Sequence, residues 1–240
     1  MWKRVLDRVI VPILFVLVGG CVASFLVIEE DNRATQRKEA EAQARAEAER
    51  LEAEKAKQIT ISSYDNIFKK VAEAHKLDWR LLAALAKAES GFRNDAVSPS
   101  GAVGLMQIMP AVGKSFGYSR EQLFDVTISV ELAAKVLHKN REMLRLPEDM
   151  DESEQWRFVL ACYNAGYGRV ADARALARHY EANPNCWSDV ASYLKKLSEY
   201  KYARHKVVKR GFFRGSKETL GHVTKVMKLY NQYSGKEEDI

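Results

Sequence analysis

Three cysteines are spread over 240 residues, too few thiols for the disulfide-dense scaffolds that stand in for a core in small exported domains. Cys21 sits in an apolar run, which leaves Cys162 and Cys186 either to pair with each other or to remain as buried free thiols. The five histidines are scattered with no HExxH or comparable ligand spacing, so no metal site is expected. No glycine pattern of the dinucleotide-binding or P-loop kind follows a strand, so no cofactor is expected either. No stretch alternates apolar and polar residues long enough to claim a sheet, and no internal repeat is present. These absences leave a metal-free, cofactor-free helical protein, an all-α fold.

What the chain does have begins with an uncharged apolar run, VIVPILFVLVGGCVASFLVI, over residues 9–28. At roughly 1.5 Å per residue such a helix crosses a hydrocarbon core of ~30 Å. Lys3, Arg4 and Arg8 precede it and Glu29, Glu30 and Asp31 follow it, which keeps the N-terminus cytoplasmic and exports the remainder. The run exceeds the h-region of a cleaved signal peptide, typically about 7–15 residues. LVGGC ending at Cys21 also resembles a loose lipobox, the alternative being a lipoprotein anchored through Cys21. Residues 30–58 contain neither Gly nor Pro and are rich in Ala, Glu, Lys and Arg, the composition of a solvated helical spacer. Its apolar positions are nearly all Ala, with Leu51 the one large exception, so no coiled-coil seam is expected. The expected order is an anchor over 1–28, a charged spacer over 29–60, a globular domain over 61–234 and a tail over 235–240.

Residues 1–58 carry ten Lys plus Arg and ten Asp plus Glu, so the net charge of +6 lies in the domain. A basic exported domain points to an anionic envelope polymer rather than to nucleic acid. Periodicity of 3.6 predicts helices near 64–75, 79–89, 127–145, 153–164, 168–178, 188–199 and 217–232. Asp78 is placed to cap the helix opening at Trp79, and Pro110 to open a short helix. In LLAALAKAES, Leu82, Leu85 and Glu89 fall three and four residues apart, so the carboxylate shares the leucine stripe. A carboxylate turned toward apolar neighbours loses hydration of its charged form and suits a general acid.

Further on come Ser98-Pro99-Ser100-Gly101-Ala102, Gly104-Leu105-Met106-Gln107-Ile108-Met109-Pro110 and Ala161-Cys162-Tyr163-Asn164-Ala165-Gly166. With the Glu89-Ser90 pair, these resemble the catalytic domain of the bacterial lytic transglycosylases, marked by ES, GLMQIMP and YNAG in that order. DWRLLAALAKAES and ACYNAGYGRVADARALARHYEANPNCWSDV are most similar to the membrane-bound F type, over roughly residues 62–233. That type carries a solute-binding-like domain ahead of the catalytic one; here the anchor and spacer stand in its place. The family often shows Glu-Thr-x-x-Tyr-Val near the C-terminus; this chain has Glu218-Thr219-Leu220-Gly221-His222-Val223, so Glu218 matches and His222 departs.

The resemblance implies a mainly helical fold of the lysozyme-like α+β superfamily, peptidoglycan as substrate and a periplasmic site of action. It implies Glu89 as the catalytic acid and then base, forming a 1,6-anhydromuramic end. It implies Ser98, Gly104, Met106, Gln107, Met109, Tyr163, Asn164 and Glu218 as substrate-binding residues. Met106 and Met109 also suit core filling, and Asn164 with Gly166 also suits a helix end. Tyr118, Tyr167 and Trp187 are aromatic candidates for stacking on sugars. Two other functions remain open: a lysozyme-like hydrolase, for which Asp95 is the water-activating candidate, and a non-catalytic wall-binding scaffold.

Overall fold

The computed structural model describes residues 36–51 and 60–236. The apolar run at 9–28, Cys21 and residues 29–35 and 52–59 of the spacer lie outside the described residues. Two compact units divide at residues 59 and 60. In the first, residues 36–51 are helical and exposed throughout, with Arg45 and Glu49 one turn apart and 3.9 Å from each other. Both side chains are well solvated, so such a pair adds little. Among the described residues no helix is long and apolar enough to cross a membrane.

The second unit is built from α1 (Asp65–His75), α2 (Trp79–Ser90), α3 (Pro110–Ser115), α4 (Val126–Leu144), α5 (Glu152–Ala165), α6 (Tyr167–His179), α7 (Trp187–Lys196), α8 (Tyr200–Ala203) and α9 (Ser216–Ser234). A 3-10 turn at Glu121–Phe124 precedes α4. The helices read from periodicity are present with ends moved by three residues or fewer. The 3-10 turn and α8, at four residues each, are too short to show a period. Among the described residues no strand forms; the backbone pairs only at isolated bridges, Val97 with Val103 and Val103 with Ile108.

Helix α2 is the centre of this unit. Leu81 to Ala86 are six consecutive buried residues, so the helix is covered on every side rather than along one stripe. It packs against α1, α4 and α9, and α9 in turn packs on α5 and α7. Burial of Leu81, Leu82 and Leu85, all fully covered, stabilises by about 1.5–3 kcal/mol per side chain.

Polar anchors set the helix ends. Asp78 accepts a hydrogen bond from the Arg80 amide at 2.9 Å, Asp125 from Ile128 at 2.9 Å and Asp151 from Glu154 at 3.1 Å. Each satisfies an amide that the first helical turn leaves open. Glu154 also accepts from the Trp187 amide at 2.8 Å, joining the starts of α5 and α7. Cys162 and Cys186 are both free thiols, and burial pushes the Cys162 thiol far above its ordinary range.

Candidate active site

At its C-terminal end α2 stops on Gly91, which adopts a left-handed conformation with φ 63° that suits glycine. Glu89 therefore sits in the last turn of the best-buried helix in the unit, with its side chain 13% exposed. It faces a cavity of about 330 Å³ shared with Ser98, Gln107, Met109, Tyr163, Asn164, Phe213 and Glu218. A second, basic hollow on which Glu89 also borders is formed with Lys87, Arg93, Lys225 and Gln232.

The loop from 91 to 109 forms one wall and is held by its own backbone. The Ser98 amide donates to the Ala102 carbonyl at 2.9 Å, and the Ser98 hydroxyl oxygen accepts from the Ala102 amide at 2.9 Å. Gln107 has φ 48°, and its side-chain amide donates to the carbonyls of Ala96 at 3.2 Å and Gly104 at 3.0 Å. The loop is thus a wall closed by its own hydrogen bonds.

Two residues of this segment do not line the cavity. Met106 has no exposed surface and belongs to the core; the bridge between Val103 and Ile108 turns its side chain inward. Gly104 is buried with φ 77°, and a Cβ there would collide with the Leu123 carbonyl oxygen. Both support the wall from behind, while Met109, 40% exposed, faces the cavity.

Helix α5 supplies the opposite wall. The Tyr163 hydroxyl donates to the Met106 carbonyl at 2.8 Å, tying the helix to the loop. Burial, with the neighbouring Glu89 charge second, pushes the Tyr163 phenol well above its ordinary range, so it stays a hydrogen-bond donor. Asn164 accepts from the Thr219 hydroxyl at 2.7 Å. Gly166, with φ 82° and ψ 144°, separates α5 from α6 in a conformation closed to other residues.

The third wall comes from the C-terminal segment. Asp172, buried on α6, accepts from the amides of Lys209 at 2.8 Å and Arg210 at 2.7 Å. The Arg169 guanidinium donates to the carbonyls of Arg210 and Gly211 and stacks 5.0 Å from the Phe213 ring. These contacts fix Phe213 at the cavity and lead the chain into α9. There Glu218 stands exposed at the rim, and His222 Nε2 lies 2.9 Å from Glu89 Oε1.

Of the expected residues, Glu89, Ser98, Gln107, Met109, Tyr163, Asn164 and Glu218 meet in one cavity. Phe213, Thr219 and His222 were missed, although His222 was visible as a departure from the Glu-Thr-x-x-Tyr-Val pattern. Asp95 is exposed and does not line the cavity. Trp187 packs against Phe158 at 5.4 Å, Tyr118 lies by Lys135, and Tyr167 borders a separate hollow with Arg174 and Arg178. None of these aromatics reaches Glu89's cavity. Among the described residues no group of His, Cys, Asp or Glu gathers as a metal site.

An acid on a buried helix end, walled by a motif-bearing loop and an Asn-bearing helix end, forms a cleft suited to general acid–base chemistry. The chain belongs to the Transglycosylase SLT domain family, whose pattern matches residues 66–185. It is 38% identical over 159 residues to the membrane-bound lytic murein transglycosylase F of Shewanella oneidensis, covering 66% of this chain and 32% of that protein. It is 33% identical over 171 residues to the protein of the same name from Pseudomonas putida strain GB-1, covering 71% of this chain and 34% of that protein. The chain thus spans about a third of the length of these relatives. Among solved structures, the lytic transglycosylase Slt of Pseudomonas aeruginosa aligns over 73% of this chain and 25% of its own, at 19% identity and a TM-score of 0.49.

Proposed function

We propose that residues 61–234 form a lytic transglycosylase that cleaves the β-1,4 bond between N-acetylmuramic acid and N-acetylglucosamine in peptidoglycan. The observation that carries this reading is Glu89, a scarcely exposed carboxylate on a rigid helix end, opening onto a polar cavity large enough for a sugar ring. Family membership over residues 66–185 supports it.

The chemistry follows from the residues. Glu89 delivers a proton to the oxygen that leaves toward N-acetylglucosamine as the bond from that oxygen to the muramyl C1 breaks. The muramyl N-acetyl group steadies the positive C1, the role that a second carboxylate plays in ordinary glycosidases. The C6 hydroxyl then bonds to C1 and returns its proton to Glu89. No water is consumed, which makes the enzyme a carbon–oxygen lyase, and closure within one sugar gains from proximity. Ser98 and Gln107 supply polar edges for the acetamido group, Met109 and Phe213 supply apolar faces, and Asn164 and Tyr163 keep the wall in register. Glu218 serves the rim of the same cleft.

The apolar run at 9–28 supports tethering in the bacterial inner membrane, with the spacer over 29–60 holding the domain in the periplasm toward the glycan. Cys21 lipidation is the alternative tether.

Digestion of purified sacculi by the full chain tests the activity. Anhydro-muropeptides, lighter by one water than hydrolytic products, are expected; reducing-end muramic acid would instead establish a muramidase. Glu89→Gln is expected to keep glycan binding and lose cleavage by roughly three orders of magnitude, the scale of general acid–base catalysis. Full turnover by that variant would overturn the assignment.

A further inference from the structure

The Glu-Thr-x-x-Tyr-Val segment that residues 218–223 resemble has a tyrosine where this chain has His222, and that resemblance gives an imidazole no task. His222 is on α9, one helical turn after Glu218, and its side chain is only 9% exposed. Its Nε2 lies 2.9 Å from Glu89 Oε1. Its other ring nitrogen, Nδ1, is buried and has no hydrogen-bond partner among the described residues. The two observations together restrict the proton's place on the ring. A proton on Nδ1 would bury an N–H with nothing to receive it, which folded proteins very rarely tolerate. A neutral ring with its proton on Nε2 leaves only a lone pair unmet, and turns the Nε2–Oε1 contact into a donated hydrogen bond. Imidazolium would again leave an orphaned Nδ1–H.

We propose that His222, as the neutral Nε2–H tautomer, is a positioning residue for the catalytic step, holding Glu89 through Oε1 so that Oε2 carries the transferring proton. This rests on the reading of Glu89 as acid and then base. One oxygen is committed to α9, and the carboxyl group can no longer rotate to trade its two oxygens. The same N–H stabilises the carboxylate that exists between the two proton transfers, when Glu89 has given up its proton and has not yet received one from the C6 hydroxyl. A charge-assisted bond of this kind is stronger than its neutral counterpart, so the help is greatest at the charged midpoint. The bond also latches the end of α2 to α9, the helix that carries Glu218 and Thr219 into the cleft.

Two measurements test it in the full chain. The first is spectroscopic: ¹⁵N spectra of the histidine rings should show a pyridine-like Nδ1 and a pyrrole-like Nε2 for His222, assigned by comparison with His222→Gln. A pyrrole-like Nδ1 overturns the proposal. The second is kinetic, on glycan strands of defined length. His222→Phe should lower kcat on the order of ten-fold to a hundred-fold, the range for loss of one hydrogen bond to a charged group, with KM within about two-fold. His222→Gln, which can offer an amide N–H at the place of Nε2, should recover most of the loss, as should the phenol of His222→Tyr. An unchanged kcat in His222→Phe, or a loss that neither donor recovers, overturns the proposal. Cleavage that survives Glu89→Gln would break the functional reading itself. Cleavage lost in Glu89→Gln but untouched in His222→Phe would break only the role of His222.

Discussion

The cleft is made of two regions that differ in how they are held. The part between α2 and α5 builds its walls from short-range bonds: Ser98 with Ala102, Gln107 with Ala96 and Gly104. The other part enters through residues 204–215, which form no helix and are fastened from outside by Asp172 and Arg169 on α6, while Asn164 on α5 holds the start of α9 through Thr219. The first region lies inside the stretch matched by the family pattern; Phe213, Glu218, Thr219 and His222 lie beyond it. A local motif can therefore specify half of a binding site, while the other half depends on which distant side chains receive its backbone.

The sharpest way to break the first region is at Gly104. Gly104→Ala should cost on the order of 3 kcal/mol, because the added methyl meets the Leu123 backbone and the residue has φ 77°. Gly101 is the control: its φ is 86° but nothing lies within 4 Å of the point where a Cβ would stand, so Gly101→Ala should cost only the backbone strain, about 1–2 kcal/mol. Denaturant unfolding of both variants measures the difference. Equal losses would mean that the contact with Leu123 is not what demands glycine.

The second region should yield to Asp172→Ala. Two backbone amides lose their acceptor at once, and stability should fall by about 2–3 kcal/mol. The Phe213 wall should loosen, so KM for glycan should rise more than kcat falls. The reverse pattern would show that the segment from 209 to 213 does not form part of the binding surface.

This contrast also explains what could be read from the chain beforehand. The central helix was legible because six consecutive apolar residues and an Asp cap at position 78 leave one local solution. Glu89 was legible because its spacing from Leu82 and Leu85 fixes its direction. That Met106 and Gly104 stand behind the wall could not be read beforehand: in a loop closed by the isolated pairing of Val103 with Ile108, no period tells which side chain turns inward. Phe213 was invisible because residues 204–215 carry no periodic signal, and their position is set by a carboxylate more than thirty residues earlier. His222 was noticed only as an exception, since sequence reveals a departure but not the atom it meets.

Whether the two regions act as one can be measured at their shared bond. Asn164→Ala, Thr219→Val and the double variant form a cycle about the 2.7 Å contact between these side chains. A coupling energy of about 1 kcal/mol is expected for a partly buried neutral hydrogen bond. A value near zero would mean that α5 and α9 meet there without depending on each other.

The smallest effect at neutral pH, about 1 kcal/mol, is expected from Tyr163→Phe, which removes the bond to the Met106 carbonyl. Its pH dependence is more informative than its size. Burial and the Glu89 charge raise the Tyr163 phenol well above its ordinary range, so the folded chain keeps this proton where the unfolded chain releases it, above about pH 10. The unfolded state then binds fewer protons than the folded state, and stability falls as pH rises, by at most about 1.4 kcal/mol per pH unit for one group. Phenylalanine has no proton to keep. The deficit of Tyr163→Phe should therefore be full below pH 9 and should shrink, then reverse, as pH climbs past 10. Tyr230, also raised by burial and by Asp78, titrates in both proteins and cancels from the comparison. A deficit that stayed constant from pH 8 to pH 11 would mean that the hydroxyl between the loop and α5 is open to water, and that the wall it joins is not closed.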